Sequence, residues 1–192
     1  MVYNSMIFMN NRLSPQLLQS QSQIVVEKDT INKNALGSRG EAIAYVRLTE
    51  GYRFNLYFMG EKAQTIDYLL ELRDKNAPFF AFLQVKTTAQ HEFTQAGQLK
   101  VGISTHDLGL LINKPLPTYF VGVDEIEESV YIAPLFSDTI HGYTSSIPKK
   151  YKLEHMPSEE NKKVIAKLEK DIICFSKVIK TRKLKYKTKM PI

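Results

Sequence analysis

Cysteine is nearly absent from this sequence. Cys174 is the only one in 192 residues, which excludes an internal disulfide and any cysteine-rich zinc site. A reducing cytosol is the simple expectation. The four histidines, His91, His106, His141 and His155, are scattered without zinc-ligand spacing. No apolar run approaches the length needed to span a bilayer, so no membrane partner is expected. The first ten residues lack a basic region followed by a long apolar stretch, and no signal peptide is expected. No Gly-rich phosphate loop and no Gly-x-Ser-x-Gly elbow occurs, which disfavours P-loop nucleotide hydrolysis and serine hydrolysis.

Charge is present but unevenly placed. The net charge is +6. From Lys149 to the C-terminus fourteen Lys or Arg face five acids, a balance of +9; the rest carries twelve against fifteen, or −3. Seven of the thirteen residues from Lys177 to Lys189 are basic. Such a tail either attracts phosphate backbones through counterion release or is a solvated, disordered segment.

The apolar share of 43% suffices for a core, and one domain is the default at this length. Residues 1–34 are weakly patterned and read as a loosely held arm with one short helix or strand. Ser38 with Glu41 three residues on is a capping box, so a helix is expected from about Arg39 to Thr49, stopped by Gly51. A strand follows near 52–58. Thr65–Leu72 and Phe79–Lys86 read as two strands joined through Arg73-Asp74-Lys75-Asn76-Ala77-Pro78 as a hairpin. Further expectations are a strand at 99–104, a short helix at 106–112, strands at 118–123 and 130–133, and a short helix at 134–139. Residues 140–157 look irregular. A final helix from Ser158 carries the stripe Val164, Leu168, Ile172, Phe175 and Ile179, with Cys174 on or beside it as a core residue. This order gives a mixed α/β sandwich.

The hairpin carries the chemistry. A strand has a side-chain period of two, so Gln84 and Lys86 share a face with Phe80 and Phe82. Centring the turn between Lys75 and Asn76 sets opposite each other residues whose numbers sum to 151. Asp67 then faces Gln84, Glu71 faces Phe80, and Thr65 faces Lys86. A slip of one residue would separate Asp67 from Gln84. A carboxylate, an amide oxygen and a lysine thus converge at one end of a buried hairpin. That set suits a hard divalent cation and an anionic substrate. Gln98-Leu99-Lys100 and Glu160-Asn161-Lys162 repeat the Gln/acid-x-Lys spacing, so the spacing gains force only from Asp67 and the buried strand. Glu71, four residues along, is either a second groove residue or a charge at the solvated strand end. His91 reads as a loop histidine close enough to the lysine strand to touch substrate.

Leu36-Gly37-Ser38-Arg39-Gly40-Glu41, Ile66-Asp67-Tyr68, Glu71, Phe82-Leu83-Gln84-Val85-Lys86-Thr87 and Pro117-Thr118-Tyr119-Phe120-Val121-Gly122-Val123-Asp124 together resemble a bacterial family, domain of unknown function family 4365. That family looks like a member of the PD-(D/E)xK, restriction-endonuclease-like nuclease superfamily. The resemblance covers about Leu36 to Pro134. It implies a restriction-endonuclease-like mixed sheet flanked by helices over 35–157; the N-terminal arm at 1–34 and the C-terminal amphipathic helix and basic tail at 158–192, read from patterning and charge, lie outside it. It also implies a metal-dependent nuclease acting on DNA, in defence or on a mobile element, as a homodimer or with a partner subunit. Asp67 matches the superfamily's aspartate, Gln84 stands where the motif has Glu or Asp, Lys86 matches its lysine, and Glu41 matches an acid supplied by the first helix. By this resemblance Asp67, Gln84, the Val85 backbone carbonyl and Glu41 would hold Mg²⁺ or Mn²⁺. Ile66 replaces the proline of the motif, and Gln84 removes a negative charge, as in Mrr-like restriction enzymes. The alternative is a catalytically degenerate module of this fold that binds nucleic acid or a partner protein.

Overall fold

The computed structural model describes residues 15–51, 53–60, 63, 65–73, 78–136, 145–153 and 159–187, with side chains described from residue 32 to 178 within these ranges, 159–161 excepted. The chain divides into two compact units, residues 1–35 and 36–192. Within the described residues of the first unit the backbone is helical from Pro15.

That helix, α1, runs Pro15–Thr49. It begins far before the expected Arg39, and this is a correction: Ser38 and Glu41 lie in the helix interior and form no capping box. Residues 16–36 contain neither Pro nor Gly and are rich in Gln and Leu. These straight-chain residues favour helix, so nothing local stops the helix from extending. A capping-box pattern marks a start only where the preceding chain leaves the helix. The C-terminal end is as expected: Gly51 adopts φ 79°, the left-handed conformation that terminates helices.

Six strands follow: β1 (Phe54–Phe58), β2 (Tyr68–Leu72), β3 (Phe80–Thr88), β4 (Thr118–Asp124), β5 (Ser129–Pro134) and β6 (Lys152–Leu153). They form one sheet in chain order, antiparallel except for the parallel pair β3–β4. The β3–β4 crossover contains α2 (Thr105–Ile112), and the chain ends in α3 (Glu159–Lys187). The expected α/β class with a mixed sheet and a C-terminal helix is observed. The basic run through Lys187 therefore belongs to the last turns of α3, whereas Ser158 and residues 188–192 lie outside the described residues.

Helices cover both faces of the sheet. On one face Ala44 and Leu48 of α1 and Ile165, Leu168 and Ile172 of α3 pack on Leu70, Leu83 and Val121. On the other, Leu108 and Leu111 of α2 pack with Phe120, Tyr131 and Ile147. β4 and β5 are buried along their whole length, which explains their unbroken apolar runs.

Three expectations need correction. Residues 99–104 are not a strand, because Leu99 makes only isolated bridges to Phe93 and Ile147. The alternation of Leu99, Val101 and Ile103, all buried, reflects extended backbone against the second core without a neighbouring ladder. Residue 134 ends β5 rather than opening a helix, and residues 137–139 lie outside the described set. Cys174 is exposed: it stands two residues beyond buried Ile172, roughly 200° around the helix. Within 140–157, the described residues include a 3-10 turn, Lys149–Tyr151, leading into β6.

Candidate active site

The hairpin register is the one the turn implied. Tyr68 pairs with Leu83, Leu69 with Phe82, Leu70 with Ala81 and Glu71 with Phe80, each pair summing to 151. Asp67 sits one residue before β2. Its amide donates to the Leu83 carbonyl at 2.9 Å and its carbonyl accepts from Met59 N at 2.8 Å, which pins it between β1 and β3. The approach is strained: Thr65 holds φ 63°, left-handed for a β-branched residue, and Ile66 is buried in the second core.

Asp67 Oδ2 accepts two hydrogen bonds, from Val85 N at 2.5 Å and from Gln84 Nε2 at 2.7 Å. Gln84 is 4% exposed, and its Nε2 also approaches the Val85 carbonyl at 3.2 Å. Its Oε1 is buried with no hydrogen-bond partner. Lys86 follows on the same face of β3, half-buried, and its charge acts on Asp67 electrostatically. Burial pushes the Asp67 carboxyl above its ordinary range, opposed by the Val85 N–H and the Lys86 charge.

Glu41 arrives from α1. Gly40 lets the helix come close, because a Cβ there would stand 1.7 Å from Thr87 Oγ1 of β3. Tyr68 OH donates to the Glu41 carbonyl at 3.2 Å, and Arg39 pairs with Glu125 at 2.6 Å. Burial and then the nearby Asp67 charge raise the Glu41 carboxyl. Burial, with the charges of Glu41 and Asp67, pushes the Tyr68 phenol up to about 12, so it stays a donor.

Glu41, Asp67, Gln84 and Lys86 line one open pocket of about 460 Å³ between α1 and α2. All four residues singled out from the sequence are therefore brought together. The pocket adds Asp107, in the first turn of α2, where Ser104 Oγ caps its amide at 3.1 Å. Ser104-x-x-Asp107 was the available signal, but its capping role explains the residue fully, so nothing pointed to the pocket. Phe58 also lines it. Glu71 does not: its carboxylate accepts from Tyr57 OH at 2.6 Å and Asn55 Nδ2 at 3.2 Å, which hold it below the usual range. His91 instead pairs through Nδ1 with the buried Asp124 at the end of β4.

Among the described residues no three His, Cys, Asp or Glu side chains form a metal-binding group. The donors here are of another kind: two carboxylates, an amide and a main-chain carbonyl, all able to offer oxygen to a hard cation. The orphaned Gln84 Oε1 is the test of fit. With its NH₂ toward Asp67 and Val85, the amide leaves a buried oxygen without a partner, a costly state. Turning the amide over would place Oε1 about 2.7 Å from Asp67 Oδ2 and 3.2 Å from the Val85 carbonyl. Three oxygens so close repel unless a cation lies among them. Adjacent oxygens around octahedral Mg²⁺ at about 2.1 Å stand roughly 3 Å apart. The residues present fit the ion.

No family model matches the chain, and no curated protein matches it. Among the described residues no helix is long and apolar enough to cross a membrane.

Proposed function

We propose that this chain is a metal-dependent nuclease of the PD-(D/E)xK type that hydrolyses phosphodiester bonds of DNA. The observation that carries the reading is the Asp67–Gln84–Val85 cluster, with Lys86 and Glu41 in the same pocket. The hairpin followed by a parallel strand, with α1 laid against β3, supports a restriction-endonuclease-like core and the resemblance to domain of unknown function family 4365.

Asp67, Gln84 Oε1, the Val85 carbonyl and Glu41 would hold Mg²⁺ or Mn²⁺. When bound, the cation supplies charge stabilisation at the phosphate and lowers the pKa of a coordinated water. The protein's own groups do the rest. Lys86 presents its ammonium to a phosphate oxygen and stabilises the charge that grows there. Val85 N–H fixes the Asp67 carboxylate, so its rotamer is set before substrate arrives. Tyr68 and Gly40 fix the α1 backbone at Glu41, which keeps that carboxylate at the pocket.

The cell interior is the proposed location, and defence or mobile-element upkeep the proposed setting. Sequence choice would come from a homodimer or a partner subunit. One observation favours a second reading, a nuclease-fold module that binds nucleic acid or protein without cleaving: Gln84 supplies no negative charge where the motif has an acid. The two separate in a cleavage assay. Plasmid and single-stranded DNA are incubated with Mg²⁺ or Mn²⁺ and wild type, Asp67→Ala or Lys86→Ala protein. The nuclease reading expects product from wild type alone. Cleavage that survives in folded Asp67→Ala protein would sink it.

A further inference from the structure

Phe58 is out of place for a phenylalanine. It closes β1 at 65% exposure, yet it lines the pocket that holds Asp67, Gln84 and Lys86. The ring is not loosely splayed. The buried Tyr68 ring meets its edge at 5.6 Å, and the chain turns back beneath it at Gly60, where φ is +53° and a Cβ would lie 2.9 Å from Phe58 Cε1. The Tyr45 ring, which lines a separate pocket, stands 6.2 Å from the Tyr68 ring and is 45% exposed. Tyr45 is one helical turn beyond Glu41. Of the three rings only Phe58 lines the pocket of Asp67 and Lys86, and it faces solvent.

We propose that Phe58 is a base-stacking platform, so that the substrate enters as an unpaired strand of DNA. This rests on the nuclease reading and names its substrate class. The occupant must carry phosphate, for Lys86 and the cation site, and a flat apolar surface close by, for Phe58. A nucleotide with a free base has both. In a duplex the base faces are covered by their neighbours, and only an unpaired or terminal base can lie on an exposed ring. The open pocket of about 460 Å³ has room for one nucleotide beside Phe58.

The experiment uses full-chain protein with Ca²⁺ in place of Mg²⁺, and one 2-aminopurine-labelled oligonucleotide offered as single strand and as duplex. Wild type, Phe58→Ala, Phe58→Trp and Asp67→Ala are compared, each first shown to melt cooperatively. Quenching of the probe by wild type is expected, with clear preference for the single strand. Phe58→Ala should bind that strand roughly tenfold to a hundredfold more weakly, and Phe58→Trp should restore it. Equal binding of strand and duplex, or unchanged binding by Phe58→Ala, would overturn the platform. If the platform fails while wild type, but not Asp67→Ala, cleaves DNA under Mg²⁺, the nuclease reading survives that failure. If neither strand nor duplex binds any variant, both fall.

Discussion

Replacing Gln84 by Glu introduces the acid that the proposed nuclease reading expects and probes the site from both directions. Without a cation the change is unfavourable. Gln84 Nε2 now donates to Asp67 Oδ2 at 2.7 Å and to the Val85 carbonyl at 3.2 Å, in a position 4% exposed. A glutamate donates to neither. It sets a second carboxylate against the first, and two like charges at that separation repel by about 6 kcal/mol at an effective dielectric of 20. Sharing one proton relieves part of this. A net loss of about 3 kcal/mol is expected, a fall in Tm of roughly 6–12 °C for a chain of this size. With Mg²⁺ or Mn²⁺ the sign turns. The added charge strengthens the cation site, and a cation at a hundred times its Kd returns about 2.7 kcal/mol. Thermal unfolding of wild type and Gln84→Glu, each with chelator and with saturating Mn²⁺, reads both arms. The mutant should be the less stable with chelator and gain the more from Mn²⁺. A mutant as stable as wild type in chelator, with no larger cation response, would refute the geometry.

Three further outcomes follow from the same contacts. Gly40→Ala should cost about 2 kcal/mol and lower metal affinity together, because the new Cβ meets Thr87 at 1.7 Å and pushes α1 off β3; denaturant unfolding and Mn²⁺ titration report the two effects. Asp67→Asn should raise the stability of the metal-free protein at neutral pH while removing metal binding. The Asp67 carboxyl has its folded pKa raised, so its contribution is present in acid and fades as pH rises through that value; Asn has no charge to bury. A lower Tm for Asp67→Asn in chelator at pH 7 would contradict this. Asp124→Ala should destabilise by about 3 kcal/mol in urea, since this fully buried carboxylate holds the His91 ring and accepts from Ile126 N at 3.1 Å and Glu127 N at 3.5 Å.

Much of the site was legible because a hairpin obeys few rules. A period of two and a turn centre fix which residues oppose, and the Asp67–Gln84 contact follows. The helices at its flanks were harder. Glu41 reaches the pocket because Gly40 has no side chain and Tyr68 grips the α1 backbone, both long-range facts. The capping-box reading of Ser38 and Glu41 failed because a local motif says nothing of what the preceding residues do. Asp107 was invisible since α2 meets β3 only across the crossover. Alternation at Leu99, Val101 and Ile103 reported burial correctly and pairing wrongly, for extended chain shows period two with or without a ladder. Phe58 gave no signal at all: its exposure is set by the Gly60 turn and the Tyr68 ring.

The central claim is a cation held by Asp67 and the Gln84 amide. Its most direct test is titration of Mn²⁺ into wild type, Asp67→Ala and Lys86→Ala by calorimetry. The account predicts binding by wild type, loss in Asp67→Ala, and retention in Lys86→Ala, because the lysine addresses phosphate rather than metal. No binding to wild type, or binding indifferent to Asp67, would contradict it.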